Sequence, residues 1–490
     1  HSFPTRRSSD LLKQQAPFRF FEEISQIPRP SYHEEKIANY LCDFAKERSL
    51  EYYRDSINNV IIISKATPGY ENEPPIILQG HMDMVCVKEA DCNKDMENEG
   101  LDLETDGDYI SAKGTSLGGD DGVSIAYALA IMDDKTISHP RIEFICTVCE
   151  EVGMEGANNI DLSMLKGHTL INLDSETESE AIAGCAGGGL FEISLPTSRS
   201  KFIEGIRARI DVSGLKGGHS GSEIDKGRAN AILILLQVLR DIYDNDDSLQ
   251  IMTLSGGEKD NAIPRDAYAD ITVSDAIKLK ETVAHFAKNI KQQYRIADPD
   301  ITITATSSDK CDGTIKPLSK YSSLDVLTFL TTLPNGIIRM SDHVSGLVET
   351  SLNLGICRLR EDNLQLSYCV RSSASEGYNE LISRLKWLTK SQGAAYKLHG
   401  EYSAWQWVDK SPLRDKICKI YMELYGKELE VKALHAGVEC GLLSEKIPGL
   451  DAISIGPDIY DIHSTKERMS ISSFIRVYNL LVHFLENKSR

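Results

Sequence analysis

The sequence predicts an α/β protein: a main domain with a central, mostly parallel sheet, interrupted by an inserted α+β module. Three observations lead there. Between residues 16 and 190, short β-branched runs alternate with amphipathic helical stretches, as in strands joined by crossover helices. The glycine-rich GCAGGGL (184–190) ends that alternation, and longer alternating strands with two long helices follow. Finally, LDAISIG (450–456) and SISSFIRVYNLLVHFL (470–485) return to the first pattern and can complete the main domain. The expected division is 16–190 and 396–490 for the main domain and 191–395 for the insert.

The elements follow in order. PFRFFEEISQIP is helical up to the break at Pro28 and Pro30. In SYHEEKIANYLCDFAKERS, Ser31 and Glu34 have capping-box spacing, while Ile37, Tyr40, Leu41 and Phe44 share one helix face. NNVIIIS (58–64) and PPIILQG (74–80) are strand-like runs between turn residues. A glycine-rich loop, 114–122, opens the helix GVSIAYALAIMDD. RIEFICTVC (141–149) reads as a buried strand holding Cys146 and Cys149 on opposite faces, hence as core cysteines. HTLINLD (168–174) is a further strand. In the insert, FEISLPTS, GIRARIDVSGL and YADITVSDA read as strands, and 228–244 and 277–294 as helices. A later strand (363–373) and helix (379–391) resemble those earlier elements, which suggests an internal duplication. Glycines near 184–190 and at 393 are the expected hinges.

Composition narrows the function. The 490 residues amount to about three domains' worth of chain. With 41% hydrophobic residues they can bury a large core, which excludes disordered, collagen-like and small disulfide-scaffold classes. Net charge is −19, so phosphate backbones and anionic lipid repel the chain, and no nucleic-acid or membrane partner is expected. Eleven irregularly spaced cysteines suit reduced thiols, and no apolar run reaches membrane-spanning length, so a cytoplasmic location is expected. The opening HSFPTRRSSD lacks an apolar signal core; residues 1–15 are set aside as non-native or disordered.

Six stretches concentrate carboxylates and histidines at strand ends or in glycine-rich loops, where open α/β sheets gather ligands. In QGHMDMV, His81 and Asp83 share one strand face, and the carboxylate can hold the imidazole's second nitrogen. In KGTSLGGDDGVS, Asp120 and Asp121 open a helix; two carboxylates suit a cation better than phosphate, although Asp N-caps fit as well. In TVCEEVGMEGA, Glu150 and Glu151 adjoin a strand end, a costly pairing unless a cation shares it, and one can remain a free base. Asp174 ends a strand, with Glu176 two residues on; His219 lies in the glycine-rich SGLKGGHSGSE; His463 lies in IGPDIYDIHSTKE. Each stretch alone also fits a solvated or capping residue. Together they form a cysteine-free N/O ligand set suited to zinc, manganese or cobalt in a two-metal hydrolase.

These motifs, in this order, resemble the M20 family of dinuclear-zinc aminopeptidases, carboxypeptidases and deacylases. GHMDMV, NLDSE, GCAGG, GGHSG, NAIPR, ETSLNLG, HAGVECG and GPDIYDIHSTKE resemble its aminoacyl-histidine dipeptidase branch. The resemblance runs from about residue 16 onward and implies a zinc-peptidase-like catalytic domain with an inserted lid or dimerisation domain. It implies two divalent ions, zinc foremost, with cobalt or manganese as alternatives. His81 and Asp174 would hold one ion, Glu151 and His463 the other, with Asp120 bridging. Asp83 would orient His81, Glu150 would be the base acting on a metal-bridging water, and His219 would stabilise the oxyanion. Asn261 and Arg371 match substrate-contact positions, while Cys149 replaces the Asp that many relatives carry and could tune the neighbouring Glu. The implied activity is hydrolysis of unblocked dipeptides, Xaa-His among them, with a homodimer compatible. A tripeptidase, carboxypeptidase or N-acyl amino acid deacylase of the same superfamily is the alternative.

Overall fold

The computed structural model describes residues 15–201, 204–307 and 314–488. Apart from Gln15, the segment set aside at the N-terminus lies outside them. The chain divides into two compact units: His1–Gly184 with Trp407–Ala433 and Val438–Arg490, and Cys185–Gln406 with Leu434–Gly437. The boundaries expected at 190 and 395 fall inside the second unit's sheet. There Gly187–Pro196 pairs with Ala395–Tyr402, so both strands must belong to one unit. Gly393, expected as a hinge, instead closes a helix-to-strand turn within that unit, with φ of 65°.

The first unit is a mixed α/β layer. Its eight-stranded sheet runs Glu51–Arg54, Val60–Ser64, Ile142–Thr147, Ile76–His81, Thr169–Asn172, Asp451–Ser454, Glu180–Cys185, Glu430–Leu434. The centre is parallel: Ile76–His81 pairs in parallel with both Ile142–Thr147 and Thr169–Asn172, and the latter with Asp451–Ser454. These strands carry continuous apolar runs because helices cover both faces. Helix Gly119–Asp133 is apolar on every side and almost wholly buried, as expected for a helix at a core centre. Helix Ala16–Ser25 lays Phe18, Phe20, Phe21 and Ile24 into the same core. Phe474, from helix Ile471–Glu486, stacks 4.5 Å from Phe18 and 4.7 Å from Tyr127, joining the two ends of the chain.

Two local expectations are corrected. Strand Ile142–Thr147 stops before Cys149, which lies in the following turn at φ of 52°; Cys146 alone is inside the strand. Ser31 and Glu34 do not form a capping box. The helix starts at Glu35 without a side-chain cap, Ser31 donates to Asp83, and Glu34 accepts from Cys149. The six-residue strand ends before the turn, and both polar side chains are taken up by long-range partners.

The second unit is α+β, built on an antiparallel sheet. Its strand order is Thr302–Ser307, Ile206–Ser213, Ala267–Val273, Gln250–Gly256, Val348–Leu359, Asn363–Ser372, Gly187–Pro196, Ala395–Tyr402. Midway, Gln250–Gly256 meets Val348–Leu359 only at Ser255↔Arg358 and Gly256↔Cys357. Helices Ala231–Asn245, Ala276–Gln293 and Ser375–Ser391 bury their apolar faces against this sheet.

Candidate active site

In the first unit the carboxyl ends of the central strands deliver the chemistry. His81 is the last residue of its strand, 1% exposed. Its Nε2 lies 3.0 Å from Asp120 Oδ1 and 3.4 Å from Asp174 Oδ1. His463 Nε2 lies 3.1 Å from the other Asp120 oxygen and 3.0 Å from Glu151. One carboxylate therefore faces two imidazoles through different oxygens. Ligand atoms converge within 4.8 Å in three groups: His81, Asp121 and Asp174; His81, Glu150 and Glu151; Asp120, Glu151 and His463.

The adjacent aspartates divide their roles. Asp121 accepts the backbone N–H groups of His81 at 3.1 Å and Ser124 at 3.2 Å, so it joins the strand end to the helix start. Asp120 keeps both oxygens for the imidazoles. The approach needs Gly80: a Cβ there would lie 2.0 Å from Ser124 Oγ and 2.1 Å from Asp121 Oδ2. Gly118 precedes the helix at φ of 67°.

Asp83 is fully buried and does more than orient an imidazole. Its Oδ1 lies 3.3 Å from His81 Nδ1, and its carbonyl oxygen lies 3.1 Å from the same nitrogen. The carboxylate also accepts the N–H groups of Glu150 and Glu151 and the Ser31 hydroxyl. Burial opposes this charge, yet His81 and these donors hold the Asp83 carboxyl below its usual range.

The cluster is rich in negative charge. Burial, reinforced by Asp120 and Glu439 against the pull of His81, pushes Asp174 up to about 8. Burial, with Asp174, Glu439 and Glu151 as neighbours, lifts Glu150 well above the carboxylate range although His81 opposes it. Burial works against Asp120 too, but His463 and His81 hold it well below that range. The same carboxylates act on the imidazoles: hydrogen bonds to Asp120 and Glu151 raise His463 to about 10, and His81 is raised despite its burial. The donor set of imidazole and carboxylate, with no thiolate, fits zinc, manganese or cobalt.

Three buried residues that the sequence reading did not assign hold this arrangement. Glu467 accepts the N–H groups of Leu117, Gly118 and Gly119 at 2.8, 3.0 and 2.8 Å, fixing the loop that presents Asp120. It closes the quoted IGPDIYDIHSTKE motif, which was the available signal. Arg29, 2% exposed, donates to the carbonyls of Met82, Asp83 and Gly118. Glu439 accepts from Gln79 and Thr147. The Cys149 thiol donates to Glu34 at 3.2 Å, and burial with that carboxylate pushes it up to about 12. The thiol is therefore engaged by Glu34.

The second unit holds its own polar group. His219 stands on the two-residue strand Gly218–His219, paired with Ala262–Ile263. Its Nδ1 accepts the N–H groups of Gly221 and Ser222 at 3.2 and 3.1 Å, and its Nε2 faces Arg371. Burial, then the Arg371 charge, lower its pKa. Arg371 lies 3.4 Å from His219 Nε2, donates to the Tyr402 hydroxyl at 2.7 Å, and is 6% exposed with no carboxylate partner among the described residues. Asn261 is exposed; its backbone carbonyl accepts the Ser220 N–H, and with His219 it lines a cleft of about 900 Å³.

A family model described as "Peptidase family M20/M25/M40" matches residues 77–487. The chain is 36% identical over 480 residues to the cytosol non-specific dipeptidase of Escherichia coli (strain K12), covering 97% of this chain and 98% of that one. It superposes on the crystal structure of aminoacylhistidine dipeptidase from Vibrio alginolyticus with a TM-score of 0.89 and 33% identity, covering 100% and 99% of the two chains. An aminopeptidase structure from Bacillus cereus shares the fold, with a TM-score of 0.56 and 16% identity over 96% and 98%.

Proposed function

Because the chain belongs to peptidase family M20/M25/M40, we propose that it is a metal-dependent dipeptidase cleaving unblocked dipeptides, Xaa-His among them. The observation that carries this reading is the Asp120 carboxylate set between His81 and His463, with Asp174, Glu150 and Glu151 around it. The names of the relatives with high identity support the dipeptidase branch over a tripeptidase, carboxypeptidase or deacylase. The name of the bacterial relative also supports a cytoplasmic location.

His81 and Asp174 would hold one divalent ion, Glu151 and His463 a second, and Asp120 would bridge them. Bound there, zinc, or else cobalt or manganese, supplies Lewis acidity to a carbonyl oxygen and acidity to a water. The chain's own residues do the rest. Asp83 keeps the His81 ring turned so that Nε2 faces the ligand cluster, and through the Glu150 N–H it fixes the turn that carries the base. Glu150 takes the proton of the attacking water and passes it to the leaving amine. His219 would stabilise the oxygen on which charge develops. Arg371, a buried guanidinium without a carboxylate of its own among the described residues, fits the substrate's terminal carboxylate, and Asn261 fits a polar contact to the substrate.

The test is hydrolysis of carnosine, Gly-His, Ala-Gly, Cys-Gly, a tripeptide and an N-acetyl amino acid by chelated protein, before and after zinc, manganese or cobalt is added back. Metal-restored cleavage confined to the free dipeptides is expected. Cleavage of the blocked or longer substrates would move the protein to a sister activity, and silence on all of them with metal bound would remove the enzyme reading.

A further inference from the structure

One polar chain inside the first unit is not used by the mechanism above. Gln79, Asn172 and Ser454 occupy one register layer of adjacent parallel strands. That layer lies one pleat below His81 and Asp174, since residues two apart share a strand face. The Ser454 hydroxyl donates to Asn172 Oδ1, Asn172 Nδ2 donates to Gln79 Oε1 at 2.6 Å, and Gln79 Nε2 donates to Glu439 Oε2 at 2.6 Å. From the other side, the Thr147 hydroxyl donates to the same Glu439 oxygen at 2.8 Å. Thr147 is the register partner of His81 and ends the strand that leads to Glu150 and Glu151.

Every hydrogen bond in this chain points towards Glu439, which is fully buried at the start of helix Glu439–Lys446. A terminal oxygen that accepts from both sides, Glu439 Oε2, sets the direction of both amides. That direction leaves Asn172 Oδ1 free to accept the Asp174 N–H at 3.3 Å. We propose that Glu439 is a positioning residue, the terminal acceptor that ties the strand bearing His81 to the strand leading to Glu150 and Glu151 and orients the Asn172 amide beneath Asp174. The inference rests on the metal-site reading given above. The second Glu439 oxygen, Oε1, has no hydrogen-bond partner among the described residues, and burial lifts the group to about 7, so Oε2 can accept both donors whether or not Oε1 carries a proton.

Gln is the neutral isostere of that acid, with a carbonyl that can receive both donors; Met has similar length and no acceptor. Zinc affinity is measured by competition with a chromophoric chelator on the full chain, alongside near-ultraviolet circular dichroism and the urea midpoint. Glu439→Met should weaken zinc about 10- to 100-fold with the folded spectrum retained, and Glu439→Gln should stay within about threefold of wild type. Thr147→Val, which removes one of the two donors, should fall between them. If Glu439→Met does not fold, Thr147→Val decides: wild-type zinc affinity there overturns the proposal. So does equal weakening by Gln and Met, which would make charge the operative property. Failure of the wild-type protein to bind zinc would overturn the metal-site reading and this proposal with it, whereas normal wild-type binding with an unaffected Glu439→Met overturns the proposal alone.

Discussion

Asp120 presents one oxygen to His81 and the other to His463, while its neighbour Asp121 gives both oxygens to backbone N–H groups. Adjacent Glu150 and Glu151 are both held at their backbone N–H groups by Asp83, and the Glu151 carboxylate contacts His463. Glu150→Gln should therefore keep metal and fold while kcat falls about a hundred- to ten-thousand-fold, the range for a lost general base. Near-normal turnover with full metal content would remove Glu150 from that role. His219→Ala should lower kcat more than metal content; equal loss of both would make the imidazole a ligand instead. The histidines and carboxylates of this cluster were legible in the sequence because they follow β-branched runs or sit among glycines, where packing gives them no purpose. Arg29 was not, because it reaches its partners across 53 residues of chain and nothing in its local sequence marks it as buried; Glu467 had a signal only in closing the IGPDIYDIHSTKE motif, since its partners lie 350 residues away.

Among the elements, the close approach of strand Ile76–His81 to helix Gly119–Asp133 depends on the missing Cβ of Gly80. Gly80→Ala should cost about 1–3 kcal/mol of stability, read from urea denaturation, with a parallel loss of metal affinity because Asp121 must move. Unchanged stability would mean that the helix start yields freely. Glu467→Ala orphans three buried N–H groups in the loop before Asp120, so it should destabilise by at least about 1–3 kcal/mol. The first unit's parallel strands could be read from their unbroken apolar runs. Strand Val348–Leu359 could not, because buried Glu349, Thr350, Ser351 and Asn353 interrupt its alternation. Such residues meet their partners only after folding: Ser351 pairs with His435 and Asn353 with the Ala262 carbonyl.

For the molecule as a whole, the cluster predicts a pH dependence. Burial pushes Asp174 up to about 8 and Glu439 up to about 7, while hydrogen bonds to Asp120 and Glu151 raise His463 to about 10. Each of these groups binds more protons folded than unfolded: the carboxyls from about pH 4 to about 7–8, the imidazole from about pH 6.5 to about 10. The sign is the same for all three, so their contribution to stability falls as pH rises across that span. Asp120, held low, acts oppositely, and its contribution is lost only as pH falls below about 4. Chelated protein should therefore show a melting temperature that declines from about pH 5 to about pH 9, and added zinc should flatten the slope by meeting the charge. A flat or rising profile without metal would contradict the charge assignment.

Strand Asp451–Ser454 lies between Thr169–Asn172 and Glu180–Cys185, in the interior of the first unit's sheet, and His463 lies beyond it in sequence. On the ribosome, the emerging polypeptide must therefore wait. The contiguous stretch 185–406 can collapse while the earlier strands remain unfinished, since domains fold as units during synthesis. The proposed centre would be complete only once Asp451–Ser454 had entered the gap and His463 had followed. A nascent chain arrested before residue 451 would carry His81, Asp120, Glu151 and Asp174 without His463, and would lack the strand that pairs with Thr169–Asn172. Incomplete products would therefore be inert towards the small peptides around them.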